Sequence, residues 1–419
     1  MASLFNHNVF YSKNGMVASS HPLASTVGME ILQKGGTAAD AAIAASAVLG
    51  FLKPYACGPG GDMVAFIWNH TEKEPFLING LSNTPINLSS DRLLKRGLKE
   101  VPLNGALPLG IPGTIKGWKI LHDKAGILPL SDILTPSIIY SEEGFPVSKE
   151  TALEWKPFEE KLMLWDASSK IFLRGDRTPN EGELFRNPYL SDLYKTFIEK
   201  GFDSFYQGDI CTNILELSSI HNGFLLETDF KDYEKGSAFS IKGILPQTNT
   251  EAIHIHFGNK NTSLYPHDCS GTALTVIDKN RNAVVLCQSM YSHFGSGLVL
   301  EKYGFALGNP MAKMKVSNLS FPDNKIPFPW RLSLITNQYC LAGIGTYYNG
   351  SGQCFHHDLP EEYIRRDVSI GISGDVFIDN IVDSDSLLKM NQFLQISPST
   401  QSLIKGTILS EKEISVVVA

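Results

Sequence analysis

The pattern of apolar and polar positions predicts two helices near the start of the chain. The first covers Ser25 to Lys34 and ends at Gly35-Gly36, a common helix-stop signal. Thr37, followed three residues later by Asp40, fits a capping box that begins a second helix, Ala38 to Leu49. Small alanine side chains recur on every face of this second helix, which lets neighbouring backbones approach closely. We therefore expect it to be buried against a sheet.

Later segments alternate between helical and strand patterns. The glycine-rich turn Cys57-Gly-Pro-Gly-Gly-Asp62 leads into Met63 to Trp68, a short apolar run that predicts a buried strand. Apolar residues at helical spacing predict helices over Ile115 to Ala125, Leu130 to Glu143 and Leu190 to Lys200.

From about residue 236 the pattern favours strands. Thr272 to Ile277 and Ala283 to Cys287 flank the polar segment Asp278 to Asn282, which predicts a hairpin. Val368 to Ile372 and Ser415 to Ala419 read as further strands. Helices early and strands late, with some strands near the front, predict an α/β (α+β) fold of mixed layers.

Composition narrows the class of protein. The chain has 419 residues, is 43% hydrophobic and carries a formal net charge of −7, which is typical of a folded globular protein. The negative charge disfavours nucleic acid or an anionic membrane as partner. The sequence contains no apolar run of membrane-spanning length and no secretory signal pattern, and its six cysteines are scattered. We expect a reduced, cytoplasmic protein.

Short motifs then occur in one order along the first 300 residues. They are Val17-Ala-Ser-Ser-His-Pro22, Val27-Gly-Met-Glu-Ile-Leu-Gln-Lys-Gly-Gly36, Asp40-Ala-Ala-Ile-Ala44, Cys57-Gly-Pro-Gly-Gly-Asp62, Gly110-Ile-Pro-Gly-Thr-Ile-Lys-Gly-Trp118, Glu142-Glu-Gly-Phe-Pro-Val147, Phe205-Tyr-Gln-Gly208, Val276-Ile-Asp278, Asn282-Ala-Val284 and Phe294-Gly-Ser-Gly297. Together they resemble the γ-glutamyltransferases and their acylase-like relatives among the N-terminal-nucleophile hydrolases.

This resemblance implies a four-layer αββα sandwich, with residues 1–419 forming a single domain made as one precursor. Residues 1–268 would match the large subunit of the family and 269–419 the small subunit. Family members cut themselves before a Thr that begins a strand. Its hydroxyl then attacks an amide while its new α-amine, with a pKa of about 8, accepts the proton. Backbone N–H groups stabilise the oxyanion.

The nucleophile position departs from the family pattern. When Val276-Ile-Asp278 is aligned without gaps, the family Thr falls on Gly271, which has no side chain to attack with. Thr272 is the right residue type, but strand alternation turns it to the opposite face. Cys269 keeps the correct face and is chemically competent, although it requires a two-residue insertion after it. Ser270 shares the register problem of Thr272, and a fourth reading is that none of these residues is catalytic.

The charged groups that grip a γ-glutamyl substrate in the family are also replaced. Leu81 and Asn83 stand where the resemblance places an Arg for the α-carboxylate, and Lys313 stands where it places an Asp for the α-ammonium. Burying a zwitterion without paired charges costs several kcal/mol. We therefore expect the substrate not to be a γ-glutamyl peptide.

Other positions of the expected pocket are rebuilt with aromatic residues. The Ser-Ser pair of the family falls near Pro329-Trp330, a supporting Asn falls near Tyr291, and the oxyanion Gly-Gly appears as Gly345-Thr346. Aromatic walls suit an apolar or aromatic small molecule, such as a specialised metabolite. The residues expected to line these walls are Tyr291, His293, Trp330, Tyr347 and Tyr348.

Two His-containing segments, His254-Ile-His256 and His356-His-Asp358, have spacings that metal ligands sometimes show. Spacing alone is a weak signal, so we expect neither a metal nor a cofactor.

Between Gly243 and Asp268 the chain is shorter than in the relatives, which predicts a more open pocket or a shorter precursor linker.

Two hypotheses follow. The first is a divergent enzyme, an amidohydrolase or acyltransferase acting on a small molecule that is not a γ-glutamyl peptide. If it self-processes, the cut is expected between Asp268 and Cys269, with Thr272 as the second choice. The alternative is a non-catalytic small-molecule-binding homologue that is never cleaved.

Overall fold

The computed structural model describes residues 14–72, 74–233, 238–240, 250–257 and 269–318, and the backbone of strands at 330–337, 341–347, 358–359, 372–373, 375–376, 407–408 and 414–418. The helices of these segments are α1 (Pro22–Gln33), α2 (Ala38–Leu52), α3 (Ser90–Lys95), α4 (Thr114–Ala125), α5 (Leu130–Glu143), α6 (Lys149–Trp155), α7 (Glu159–Leu162), α8 (Asp166–Phe172), α9 (Pro188–Lys200), α10 (Asp209–Ile220) and α11 (Glu227–Tyr233).

The longer strands form two sheets. They are β1 (Gly15–Ser19), β2 (Asp62–Asn69), β3 (Glu74–Gly80), β6 (Ala238–Ser240), β7 (Thr250–Phe257), β8 (Cys269–Asp278), β9 (Ala283–Ser292), β12 (Trp330–Asn337), β13 (Leu341–Tyr347) and β18 (Ile414–Val418). The short strands are β4 (Phe145–Pro146), β5 (Leu184–Phe185), β10 (Val299–Leu300), β11 (Phe305–Ala306), β14 (Asp358–Leu359), β15 (Ile372–Ser373), β16 (Asp375–Val376) and β17 (Thr407–Ile408). They form two-stranded pairs, β4 with β5, β10 with β11, β14 with β17 and β15 with β16.

The first sheet has six strands in the order β1-β8-β9-β2-β3-β6, and its neighbouring strands run antiparallel. The second has four strands in the order β13-β12-β7-β18, with β18 parallel to β7. Strand β13 of the second sheet packs on β8 and β9 of the first. Helices α1, α2, α4 and α5 are packed together on the opposite face of the first sheet. The described residues thus form a helix–sheet–sheet arrangement, which confirms the predicted α/β class.

Helix α2 is buried along its whole length between α1, α5 and the first sheet. It begins with the predicted capping box, in which the Asp40 backbone N–H donates to the Thr37 hydroxyl and the Thr37 N–H donates to the Asp40 carboxylate. Its alanines let the backbone lie close to strands β8 and β9, so the expectation of burial against a sheet is confirmed. The helix extends three residues beyond the predicted end, through Gly50 to Leu52.

The helices predicted over Ile115 to Ala125, Leu130 to Glu143 and Leu190 to Lys200 are confirmed as α4, α5 and α9, with ends within two residues of the predicted ones. The hairpin prediction is also confirmed: β8 and β9 pair, and the carboxylate of Asp278 accepts the backbone N–H groups of Asn280 and Asn282 in the connecting turn. The predicted strand at the end of the chain is β18. Of the predicted strand Val368 to Ile372, only Ile372 lies within the described residues.

Two hydrophobic clusters lie on opposite faces of the first sheet. One contains Leu274 and Val276 of β8 together with helices α1, α2, α4, α5 and α9. The other contains Ala273 of β8, Phe66 of β2 and Tyr291 of β9, on the face that meets the second sheet. Alternate residues of β8 therefore face the helices and the second sheet, as the period of two in a strand requires.

Among the described helices, none combines the length and apolar character that crossing a membrane demands. The division of the chain into parts 1–268 and 269–419 stays a prediction.

Candidate active site

The position at which the family places its nucleophile lies opposite an irregularity in the β8–β9 hairpin. Ser270 pairs with Tyr291 and Thr272 pairs with Gln288, so one residue of β8, Gly271, faces two residues of β9. The two strands therefore form a β-bulge whose extra residue is on β9. Because bulges re-aim side chains and often occur next to active sites, this end of the first sheet is the candidate site.

The Thr272 side chain faces the helical layer. It is buried, and its hydroxyl forms a hydrogen bond with the Ser20 hydroxyl, in the segment just before α1. It therefore shares the face of Leu274, whereas Gly271 shares the face of Ala273 by alternation. Thr272 thus lies on the opposite face of the strand from Gly271, and its role in catalysis stays a prediction.

Ser270 is also engaged inside the protein. Its side chain is buried, and its hydroxyl donates to the backbone carbonyl of Tyr55 at 3.1 Å. Cys269 is the first residue of β8 and pairs with Ser292, two residues before Gly271. Its side chain lies outside the described residues, so its role as nucleophile stays a prediction.

A buried carboxylate lies on the same face of the sheet as Gly271. Asp62, the first residue of β2, is fully buried and accepts four hydrogen bonds. The backbone N–H of Ser82 (2.7 Å) and the hydroxyl of Tyr291 (2.5 Å) donate to Oδ2, while the Ser82 hydroxyl (2.7 Å) and the backbone N–H of Gly113 (3.1 Å) donate to Oδ1. Burial raises the pKa of Asp62 to about 6, against the lowering effect of these donors.

Close backbone packing explains the glycines of the turn before Asp62. A Cβ atom at Gly61 would lie 2.5 Å from the carbonyl oxygen of Ser289 in the bulge, which is closer than side-chain carbons pack. The Gly61 carbonyl also accepts the backbone N–H groups of Gly113 and Thr114 at the start of α4. The glycine-rich turn is thus a structural element that brings β2, the bulge and α4 together.

The positions corresponding to the family's charged clamps are placed as follows. Asn83 is exposed on the loop after β3, and Leu81 packs partly buried at the edge of the cluster on the inter-sheet face. Lys313 is exposed and forms an ion pair with Glu100 at 2.9 Å. The contacts predicted for Asn83 and Lys313 with a substrate stay predictions.

The second sheet carries the remaining predicted positions. Trp330 begins β12 and pairs with Tyr347, while Gly345 and Thr346 of β13 pair with Leu332 and Arg331. Because β13 packs on β8 and β9, the structure brings the predicted oxyanion segment to the sheet that holds Gly271. Tyr348 lies outside the described residues.

Tyr291 and His293 were both predicted to line a pocket. Tyr291 is 3% exposed, has a positive φ of 68° and binds Asp62. The His293 ring is stacked between Phe158 and Tyr55, at centroid distances of 4.4 and 5.8 Å. Neither placement tests a substrate contact, so both remain predictions.

His293 also forms a hydrogen bond with a carboxylate. Its Nε2 lies 3.3 Å from Glu154 of α6, and this hydrogen bond is the main cause that lowers the pKa of Glu154. Lys161 of α7 donates to the carbonyl oxygens of His293 (2.8 Å) and Gly295 (2.5 Å). Helices α6 and α7 therefore hold the segment that follows β9.

Sequence reasoning did not assign roles to Asp62, Glu154 or Lys161. A signal existed for Asp62, because a carboxylate that begins an apolar buried strand must find hydrogen-bond donors. Glu154 and Lys161 belong to short helices with no clear apolar periodicity. Their contacts with His293 and Gly295 depend on tertiary structure alone.

The structure offers no grouping of three or more His, Cys, Asp or Glu side chains suited to a metal ion within its described part. His254 and His256 lie on β7, paired with Ser333 and Arg331 of β12. Of His356-His-Asp358, only Asp358 is among the described residues.

Comparison with known proteins identifies relatives of this chain by sequence. The family model "Gamma-glutamyltranspeptidase" matches residues 24–242 and 238–329. The chain is similar to the glutathione hydrolase proenzyme of Bacillus subtilis (31% identical; 53% of this chain, 38% of the relative) and to the glutathione hydrolase-like YwrD proenzyme of that species (33%; 54% and 43%). It thus spans about two-fifths of the length of these relatives.

The fold is similar to that of cephalosporin acylase from Bacillus halodurans, with a TM-score of 0.71 at 24% identity over 81% of this chain and 78% of the acylase. The two stretches matched by the family model overlap at residues 238–242. Because the match covers well over half of the chain, the chain belongs to the gamma-glutamyltranspeptidase family.

Proposed function

We propose that this protein is an amide hydrolase or acyltransferase of the γ-glutamyltranspeptidase type, with Cys269 as nucleophile. The observation that carries the assignment is that the hydroxyls of Ser270 and Thr272, which flank Gly271, are both engaged in internal hydrogen bonds. Cys269 begins strand β8 at the same end. An N-terminal thiol suits this chemistry, because it is more acidic than a hydroxyl.

In this proposal, cleavage between Asp268 and Cys269 frees the α-amine of Cys269. The amine takes the thiol proton as sulfur attacks the substrate carbonyl carbon, and it returns that proton to the leaving amine when the C–N bond breaks. Water or an acceptor amine then releases the acyl group from sulfur. Backbone N–H groups near Gly345 and Thr346 are proposed to bind the oxyanion. Both named relatives are proenzymes, which supports a precursor that is cut.

The proposed substrate is an apolar or aromatic acyl compound rather than a γ-glutamyl peptide. At the clamp positions, Asn83 is neutral and Lys313 is exposed and paired with Glu100. A zwitterionic glutamyl group would meet a cation where the family has an anion, which costs binding energy. Trp330 and Tyr347 pair on adjacent strands of the second sheet and are proposed to form an aromatic wall. We propose a small molecule as the partner and the cytoplasm as the location of the protein.

The test compares two chromogenic amides, γ-glutamyl and phenylacetyl p-nitroanilide. We expect kcat/KM for the phenylacetyl amide to be at least about tenfold higher, and Cys269→Ala to lower it by about a thousandfold or more. Cys211→Ala, which changes a buried cysteine of α10, is the control and should stay active. Preference for the γ-glutamyl amide would refute the substrate assignment. Full activity of Cys269→Ala would refute the nucleophile.

A second candidate is a binding protein that is never cleaved. It is favoured by Gly271, which leaves the family's nucleophile position without a side chain. An uncut chain that binds phenylacetamide saturably but hydrolyses neither anilide would establish this alternative.

A further inference from the structure

Asp62 joins three segments that are distant in sequence. Its carboxylate binds Ser82 in the loop after β3, Gly113 in the turn before α4, and Tyr291 at the end of β9. The Ser82 loop also carries Asn83, whose carbonyl accepts the Ile111 N–H. We call the loop after β3, which carries Leu81 and Asn83, the clamp loop. One buried side chain, Asp62, thus connects the clamp loop to the bulge opposite Gly271.

The backbone at Tyr291 needs such support. A positive φ of 68° is unfavourable for a bulky aromatic residue, which rarely adopts this left-handed region. Such a conformation persists only when surrounding contacts impose it. Here the Tyr291 hydroxyl donates to Asp62, and its N–H donates to the Ser289 hydroxyl at 2.8 Å.

The hydrogen bonds of Asp62 also define what this carboxylate can do. Four donors occupy its two oxygens, and its side chain is inaccessible to solvent. A substrate would have to displace one of these donors to reach it. We infer that Asp62 is a positioning residue, which holds the clamp loop, the turn before α4 and the bulge in one arrangement for the reaction proposed above. The catalytic role of this arrangement rests on the proposed function.

Protonation is expected to loosen this arrangement. A protonated Asp62 must direct its own proton toward the hydroxyl of either Tyr291 or Ser82, so one of these hydroxyls changes from donor to acceptor. The Tyr291 hydroxyl contacts the carboxylate directly. Burial raises the pKa values of Tyr206 and Tyr233, and the charge of the carboxylate raises both further. Both tyrosines remain neutral, so the change near pH 6 belongs to Asp62.

Hydrogen exchange tests the inference without requiring turnover. In Asp62→Asn, we expect exchange at residues 81–85, 110–114 and 289–292 to become at least about tenfold faster. The reason is that the NH2 group of the new amide would face N–H and O–H groups that now donate to the carboxylate. The matched control is Asp40→Asn, another fully buried Asp that accepts backbone N–H groups, from Thr37, Ile127 and Leu128. It should speed exchange around its own partners instead.

A pH series distinguishes positioning from general support of the fold. After correction for intrinsic exchange rates, the wild type should show faster exchange at 289–292 as pH falls through about 6, a step absent from Asp62→Asn. Unchanged exchange in Asp62→Asn, or an equal rise throughout the chain, would overturn the inference. If Asp62→Asn does not fold, Tyr291→Phe, which removes one donor, must give the effect at 289–292.

The anilide assay then separates the two proposals. A local exchange effect with at least about a tenfold fall in kcat and a nearly unchanged KM supports both. If Asp62→Asn shows the local exchange effect but the wild type hydrolyses neither anilide, the proposed function is refuted. Asp62 then has only the structural role of connecting the three segments. A normal kcat in Asp62→Asn, despite turnover by the wild type, would overturn the positioning role.

Discussion

The hydroxyls of Ser20 and Thr272 form a hydrogen bond that joins strand β8 to the segment before helix α1. The contact places the threonine next to the family's nucleophile position on the helical side of the sheet. The contact gives Thr272 a structural role, and removing its hydroxyl tests whether Thr272 also has a catalytic role.

Replacing Thr272 by Val keeps the shape of the side chain and removes its hydroxyl. We expect a loss of about 1–2 kcal/mol in the free energy of unfolding, measured in urea, because Ser20 loses its partner. Cleavage before Cys269 should continue. Thr272→Ser, which retains a hydroxyl, is the control. A Val variant that stays uncut while the Ser variant is cut would show that Thr272 is the nucleophile.

His21 should make stability depend on pH. Burial and then the positive charge of Lys53 lower its pKa to about 4, and its Nδ1 accepts the Leu23 N–H at the start of α1. Because the unfolded chain binds this proton more tightly, His21 makes stability fall as pH drops from about 6.5 to 4.

His21→Asn keeps a side chain that can cap α1 but does not titrate near neutral pH. We expect its free energy of unfolding to decrease less than that of the wild type between pH 6.5 and 4. Urea unfolding at several pH values measures this difference. Parallel curves for the two proteins would contradict the assignment.

Lys161 holds the segment after β9 through the carbonyl oxygens of His293 and Gly295. Lys161→Met keeps the length of the side chain but removes both charged hydrogen bonds, so we expect a loss of about 1–3 kcal/mol in the free energy of unfolding.

The matched control for Lys161→Met is Lys170→Met, which removes an exposed ion pair with Glu301 and should change stability little. Urea unfolding compares the two variants. Equal effects would show that the Lys161 contacts add nothing to the fold.

Local patterns predicted the helices and the hairpin well. The capping box at Thr37 and the alanine-rich run after it depend on residues close in sequence, and so does the turn that follows Asp278. The pairing of β7 with β12 and β18 joins segments far apart along the chain. Strand propensity alone does not select such partners.

The candidate site was less predictable for the same reason. Motifs indicated the family and the position of Gly271, but Asp62 finds its partners 20, 51 and 229 residues away. The bulge that places Ser289 and Met290 opposite Gly271 depends on how β9 packs against the 55–56 segment, whose carbonyls accept N–H groups of Met290 and Phe294. A list of sequence motifs does not contain these contacts.

The intact mass of the freshly purified protein under denaturing conditions tests the central claim most directly. The account predicts two fragments that sum to the 46.1 kDa of the chain, the smaller beginning with Cys269. Cys269→Ala should remain whole, whereas Cys211→Ala should be cut. A single uncut 46.1 kDa chain in the unmodified protein would contradict the self-processing nucleophile and favour the binding protein.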